Sequence, residues 1–176
     1  MTARIWDADT RRQLGVLVGH EGALYTASFS PDGRFIASAA FDGTAKIWAT
    51  DRPPAGLTFA GHDQTVWTVA FSPNGRLLAT GSFDLTAKIW DVTSGAVVQS
   101  LPVNLPVWAV AFSPEGDRLL TVGPENTACI WRISLSSASS QEPMRLRGHE
   151  EPGLAVAWSP DGRWIASGGK DHIVIV

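Results

Sequence analysis

Cysteine is almost absent. Cys129 stands alone among 176 residues, so no disulfide can close within the chain, which fits a reducing compartment such as the cytoplasm. Basic runs are absent beyond Arg11-Arg12. A net charge of −3 and a pI near 5.7 leave no positive field of the kind that nucleic-acid binding needs. Long apolar runs are absent too. None approaches the ~18 residues of a membrane-spanning helix, and the opening MTARIWDADTRR has no apolar segment of the secretory kind. Helical periodicity is missing: no stretch repeats its apolar residues at about 3.6. Tyrosine occurs once, yet tryptophan occurs eight times, and 44% of the residues are hydrophobic, enough for a core in a chain of ordinary domain length.

What is present is self-similarity. SFSPDGRFIASAAFDGTAKIW (28–48) matches AFSPNGRLLATGSFDLTAKIW (70–90) without a gap. AFSPEGDRLLTVGPENTACIW (111–131) and AWSPDGRWIASGGKDHIVIV (157–176) carry the same landmarks, and TARIWD (2–7) reads as the tail of another copy. Trp6, Trp48, Trp90 and Trp131 recur at spacings of 42, 42 and 41, which would place the next at position 177. The units run 1–7 (partial), 8–49, 50–91, 92–132 and 133–176. Four short strands fit each period, and the second set shows them as a, TVWTVAFS (65–72); b, RLLATGS (76–82); c, TAKIW (86–90); and d, AVVQSL (96–101). SPNG between a and b is a turn: its proline presets φ and its Asn-Gly pair tolerates the reversal. The expected class is all-β, built of four-stranded antiparallel meanders. A lone sheet of this size cannot bury both faces, and radial stacking of successive sheets solves that.

The period, the Gly-His pairs (19–20, 61–62, 148–149), the SPDGR-type turns and the Trp-Asp ends (6–7, 90–91) resemble the WD40 repeat family. The resemblance spans essentially the whole chain and implies a β-propeller. Departures are visible. Trp48 is followed by alanine and Trp131 by arginine, LPV (101–103) stands where Gly-His is expected, and Glu125 replaces the turn aspartate. The third unit is therefore expected to be the least rigid. SLSSASSQE (134–142) is an insertion, expected to form a polar, mobile loop.

Three polar sets recur: His20, Ser38, Asp42 and Trp48; His62, Thr80, Asp84 and Trp90; and His149, Ser167 and Asp171 without a tryptophan. Histidine and aspartate are 22 apart each time. Hydrolases use the same residue types. In an up-and-down meander, however, the loop before strand a and the b–c turn share one end, so His62 and Asp84 approach with Thr80 between them. In WD40 proteins the matching residues form a hydrogen-bonded tetrad with the strand-c indole, and the resemblance implies the same here. Buried indole, hydroxyl and imidazole groups must all find partners. A catalytic site would occur once rather than once per unit, so no catalytic residue is assigned. The histidines are too dispersed for a metal cluster, and GGK (168–170) has Trp164 where a phosphate loop needs glycine, so no metal or cofactor is expected. Cys129 reads as a small buried hydrophobe.

Variation among matched positions marks candidate binding residues. Five residues after each histidine come Tyr25, Trp67 and Leu154, with Trp108 aligned to them in the third unit. Just before the turn aspartates come Phe41, Phe83 and Lys170, with Pro124 in the third unit. All belong to the histidine end. Either they form a partner-binding rim, as the resemblance implies, or they only pack between blades; Trp67 and Trp108 are the stronger candidates. Arg34, Arg76 and Arg163 follow the SPDG turns at the opposite end and read as solvated.

Seventeen strands are expected, enough for about four blades where a closed WD40 ring usually has about seven, so the chain is expected to form an incomplete ring and to belong to a larger protein. The expected role is a non-catalytic protein-interaction scaffold that binds a protein, with self-association through open blade edges a further possibility. The alternatives are the sensor end of a larger signalling enzyme (kinase or nucleotidase), a propeller hydrolase, or a self-assembling module.

Overall fold

A computed structural model describes residues 2–51, 56–134 and 142–176. It contains seventeen strands and no helix among the described residues. A two-stranded sheet pairs β1 (Thr2–Trp6) with β2 (Gln13–Val18). The next sheet orders β3 (Leu24–Phe29), β4 (Phe35–Ala40), β5 (Thr44–Ala49) and β6 (Gly56–Ala60). Then come β7 (Val66–Phe71), β8 (Leu77–Ser82), β9 (Thr86–Asp91) and β10 (Val97–Pro102). A third full sheet holds β11 (Ala109–Phe112), β12 (Arg118–Val122), β13 (Thr127–Arg132) and β14 (Met144–Arg147). The last has β15 (Gly153–Trp158), β16 (Ile165–Gly169) and β17 (Val174–Ile175). All pairings are antiparallel between chain neighbours. Most of the segment 134–142, where the polar insertion was expected, lies outside the described residues.

The sheets pack face to face in succession as propeller blades. Apolar layers fill the gaps between them: Ala37, Ile47, Phe59 and Leu78 with Trp90 between the first two full sheets, and Ile89, Leu101, Val110 and Leu119 with Trp131 between the next two. Fully burying one such aliphatic or phenyl side chain contributes about 1.5–3 kcal/mol. Covering both faces explains why β4 and β8 are buried along their length and show no alternation. Their sequences, FIASAA and LLATGS, place small residues where neighbouring sheets approach. Gly81 shows how close that approach is: a Cβ there would lie 2.5 Å from a methyl of the fully buried Val107. In the last sheet β15 and β16 remain half-exposed, as expected for strands covered on one face only.

Sheet and sequence repeat are offset by one strand. Strand β10, whose residues follow Trp90 in the sequence, is the outer strand of the sheet that contains β7–β9. Each sequence unit thus closes one sheet and opens the next, which ties adjacent blades together through the chain itself.

Candidate functional site

At the end where strand a begins and the b–c turn lies, two complete tetrads are formed. In the first, His20 Nδ1 is 2.9 Å from Asp42 Oδ2, His20 Nε2 is 2.8 Å from Ser38 Oγ, and Trp48 Nε1 donates to Ser38 Oγ at 2.9 Å. In the second the same contacts measure 2.7 Å (His62 to Asp84), 2.7 Å (His62 to Thr80) and 2.8 Å (Trp90 to Thr80). Donor and acceptor capacity fixes the protons. An indole only donates, so the hydroxyl oxygen accepts from it and gives its own proton to Nε2; Nδ1–H then donates to the carboxylate. The imidazole is neutral in this chain of bonds. Consistently, burial pushes the His62 imidazolium down, and the opposing pull of Asp84 does not restore it. Burial alone would raise the Asp42 carboxyl. Hydrogen bonds from Thr44, His20 and the Glu21 backbone more than offset that and hold it well below its ordinary range. Asp84 is lowered in the same way through Thr86 and His62.

These sets share residue types with a hydrolase triad but not its access. Ser38 and Thr80 are 0% exposed, and their oxygens are already taken by indole N–H groups. His149 repeats the pattern with Asp171 at 2.8 Å and Ser167 at 2.9 Å.

The third full sheet keeps only half of the device: Trp131 Nε1 donates to Thr121 Oγ1 at 3.0 Å. Val103 stands at the histidine position, and a cavity of about 20 Å³ lined by Val103, Thr121, Glu125, Thr127 and Cys129 occupies the imidazole's place. That is room for about one water. The cause is visible one residue earlier. Gly19, Gly61 and Gly148 precede their histidines at φ of 150°, 154° and 156°, and the first two lie against the Trp48 and Trp90 ring edges. The third unit has Pro102 there, whose ring locks φ near −65° and sends the loop along another path. Cys129 is buried beside the cavity, and burial pushes its thiol pKa up.

Tyr25, Trp67 and Leu154 share a feature that their spacing alone did not show. Pairing jumps from Leu24↔Ala40 to Thr26↔Ala39, from Val66↔Ser82 to Thr68↔Gly81, and from Gly153↔Gly169 to Ala155↔Gly168. Each candidate is therefore the extra residue of a β-bulge, a device that re-aims a side chain. Tyr25 and Trp67 stack across the two sheets, ring centroids 4.2 Å apart at 26°, and Phe83 tilts against Trp67 at 5.4 Å. Phe41, at the matching turn of the preceding sheet, is 62% exposed. Trp108 lies just before β11, and Lys170 from the last sheet places its ammonium 5.4 Å from the Trp108 ring centre. Arg34, Arg76 and Arg163 are exposed at the opposite end.

Sequence reasoning passed over Leu85. It is 43% exposed in the b–c turn and sits at φ 71°, where the matching Gly43 sits at φ 78°. An apolar side chain in left-handed backbone is a strained choice. The substitution of FDLT for FDGT was the signal available.

Radial four-stranded sheets locked by histidine–hydroxyl–aspartate–indole chains define a β-propeller of the repeat type. A family model described as "WD domain, G-beta repeat" matches residues 11–49, 56–91, 95–132 and 140–176, and the chain belongs to that WD40 family. Its members are commonly protein-interaction scaffolds and generally non-catalytic.

Proposed function

We propose that this chain is a non-catalytic scaffold that binds a protein partner through the end of the blades carrying the histidine loops. The observation that supports it most is the placement of Tyr25 and Trp67 in bulges that stack them together, next to Phe83, at that end. The same bulge recurs at Leu154 without a ring; what is particular to Tyr25 and Trp67 is that their bulges carry two stacked rings while Tyr25 is still 40% exposed. Rigid aromatic side chains with a polar edge are the usual anchors of binding surfaces. The buried free Cys129 fits a reducing compartment, and the cytoplasm is the location we infer.

The test is capture of partners by the immobilised chain, comparing Trp67→Ala, Trp90→Ala and Arg76→Ala after each melting temperature is measured. Trp67→Ala should weaken capture by about 2 kcal/mol or more while unfolding less readily than Trp90→Ala, which empties a tetrad. Arg76→Ala should leave capture unchanged. If Trp67→Ala unfolds as badly as Trp90→Ala, the residue is core; if Arg76→Ala abolishes capture, the other face binds.

A second reading, self-association, is favoured by apolar exposure on the two outermost sheets. Trp6, Leu14 and Val18 are 55%, 64% and 57% exposed on one, and Trp164 and Val174 are 59% and 68% exposed on the other. Light scattering at micromolar concentration should then report more than a monomer.

A further inference from the structure

The two ends of the blades differ sharply in charge. The eight loops that join d to a and b to c contain eight carboxylates and one lysine, Lys170. Among the described residues, the loops at the other end contain eight carboxylates and five arginines. Five of the carboxylates at the aromatic end are exposed: Glu21, Asp63, Glu125, Glu150 and Glu151; of these Glu125 is paired with Arg145 at 3.8 Å. Glu21 and Asp63 directly follow tetrad histidines, in the loops that lead into the Tyr25 and Trp67 bulges.

The one lysine at this end shows how such a face accommodates a cation. Lys170, from the turn before Asp171, rests on Trp108 of the preceding sheet. Trp67 occupies the matching position one sheet earlier, and there the residue matching Lys170 is Pro124, which has no charge to give. Among the described residues, the cation–aromatic contacts are those of Lys170 with Trp108 and Arg34 with Phe35, so Trp67 has no such partner. Aromatic faces attract ammonium and guanidinium groups, and nearby carboxylates add to the attraction.

We propose that the Tyr25–Trp67–Phe83 cluster receives a basic stretch of a partner protein. A lysine or arginine head sits at Trp67 as Lys170 sits at Trp108, and Glu21 and Asp63 pair with neighbouring cations of the stretch. Leu85, exposed and strained on the same face, contacts the aliphatic stem of a basic side chain. This rests on the reading of this end as the partner-binding face and adds the chemistry of the partner. An acidic rim disfavours nucleic acid and anionic membrane as occupants.

The experiment uses the full chain and four labelled nonapeptides in which glycine alternates with arginine, lysine, glutamate or glutamine, read by fluorescence anisotropy. The arginine and lysine peptides should bind, weakening as salt rises, and the other two should not. Trp67→Ala should weaken binding by about thirtyfold or more. The pair Glu21→Gln with Asp63→Asn alters only exposed side chains, so it remains informative if Trp67→Ala folds poorly; it should weaken binding by about fivefold. Basic peptides that bind Trp67→Ala and the carboxylate pair as well as the unaltered chain would reveal adsorption by net charge alone and overturn the proposal. Binding of the glutamate or glutamine peptide in a Trp67-dependent way overturns the cationic chemistry but keeps the face. If no peptide binds, the proposal is refuted, while partner capture by the Trp67 and Arg76 variants still decides the face independently.

Discussion

Replacing His62 with alanine should destabilise the chain by about 2–3 kcal/mol. The imidazole donates one charge-assisted bond, to Asp84 at 2.7 Å, and accepts one neutral bond, from Thr80 at 2.7 Å. Such bonds are worth about 1.5–3 and about 1 kcal/mol respectively. Part of the loss is recovered. Asp84 keeps its bonds from Thr86 and the Asp63 backbone, and the Thr80 hydroxyl can turn to the Lys88 carbonyl at 3.4 Å. The third full sheet forms without any histidine, so the variant should still fold. For a chain of this length the loss corresponds to a fall in melting temperature of roughly 5–10 °C, measured by circular dichroism and by urea denaturation. The control is His172, which is exposed and outside the repeat pattern. It sits at φ 64°, so asparagine, which tolerates that backbone, is the fair substitution. His172→Asn should change stability by less than about 0.5 kcal/mol. Equal shifts for the two variants would refute the structural role of the tetrad.

Three other outcomes follow from the same geometry. Gly81→Ala should cost about 1–3 kcal/mol in urea denaturation, because the new methyl meets Val107 at 2.5 Å and Thr68 at 2.7 Å in packed surroundings. Leu85→Gly should leave stability unchanged or raise it by up to about 1 kcal/mol, since relief of left-handed strain offsets the added chain entropy; a clear loss would show that the leucine packs. Stability should fall on acidification in two stages. His62 is held below its ordinary 6.5, so as pH drops through 6.5 the unfolded chain takes up a proton that the fold refuses. Asp42, Asp84 and Asp171 are held below 3.8, so the second loss begins as pH falls through 3.8 and continues to their folded values. His62→Gln should flatten the first stage in denaturation midpoints measured across that range, and an undiminished slope would count against a neutral buried imidazole.

Much of this protein is written locally. The recurrence of Trp48, Trp90 and Trp131, the turn chemistry of SPDG and SPNG, and the alternation of short β-forming runs with reversals specify strands, their order and antiparallel pairing. Neighbouring strands pair with neighbours, so the topology needs no long-range information. The constant 22-residue interval from histidine to aspartate is legible for the same reason: both ends of the interval lie in one sheet. Even the gap in the third unit is announced by Pro102 and Val103 in place of Gly-His. What only the tertiary structure decided is how the sheets meet. The bulges at Tyr25 and Trp67 depend on registers between strands, and the ring stack joins residues of two sheets. Lys170 reaches Trp108 only because the last sheet packs on the one before it. The strain at Leu85 is fixed by the turn it must complete with its neighbours. Strand identity is set by residues close in sequence, whereas the shape and charge of a surface are summed over loops that the chain brings together only after each sheet has formed and stacked.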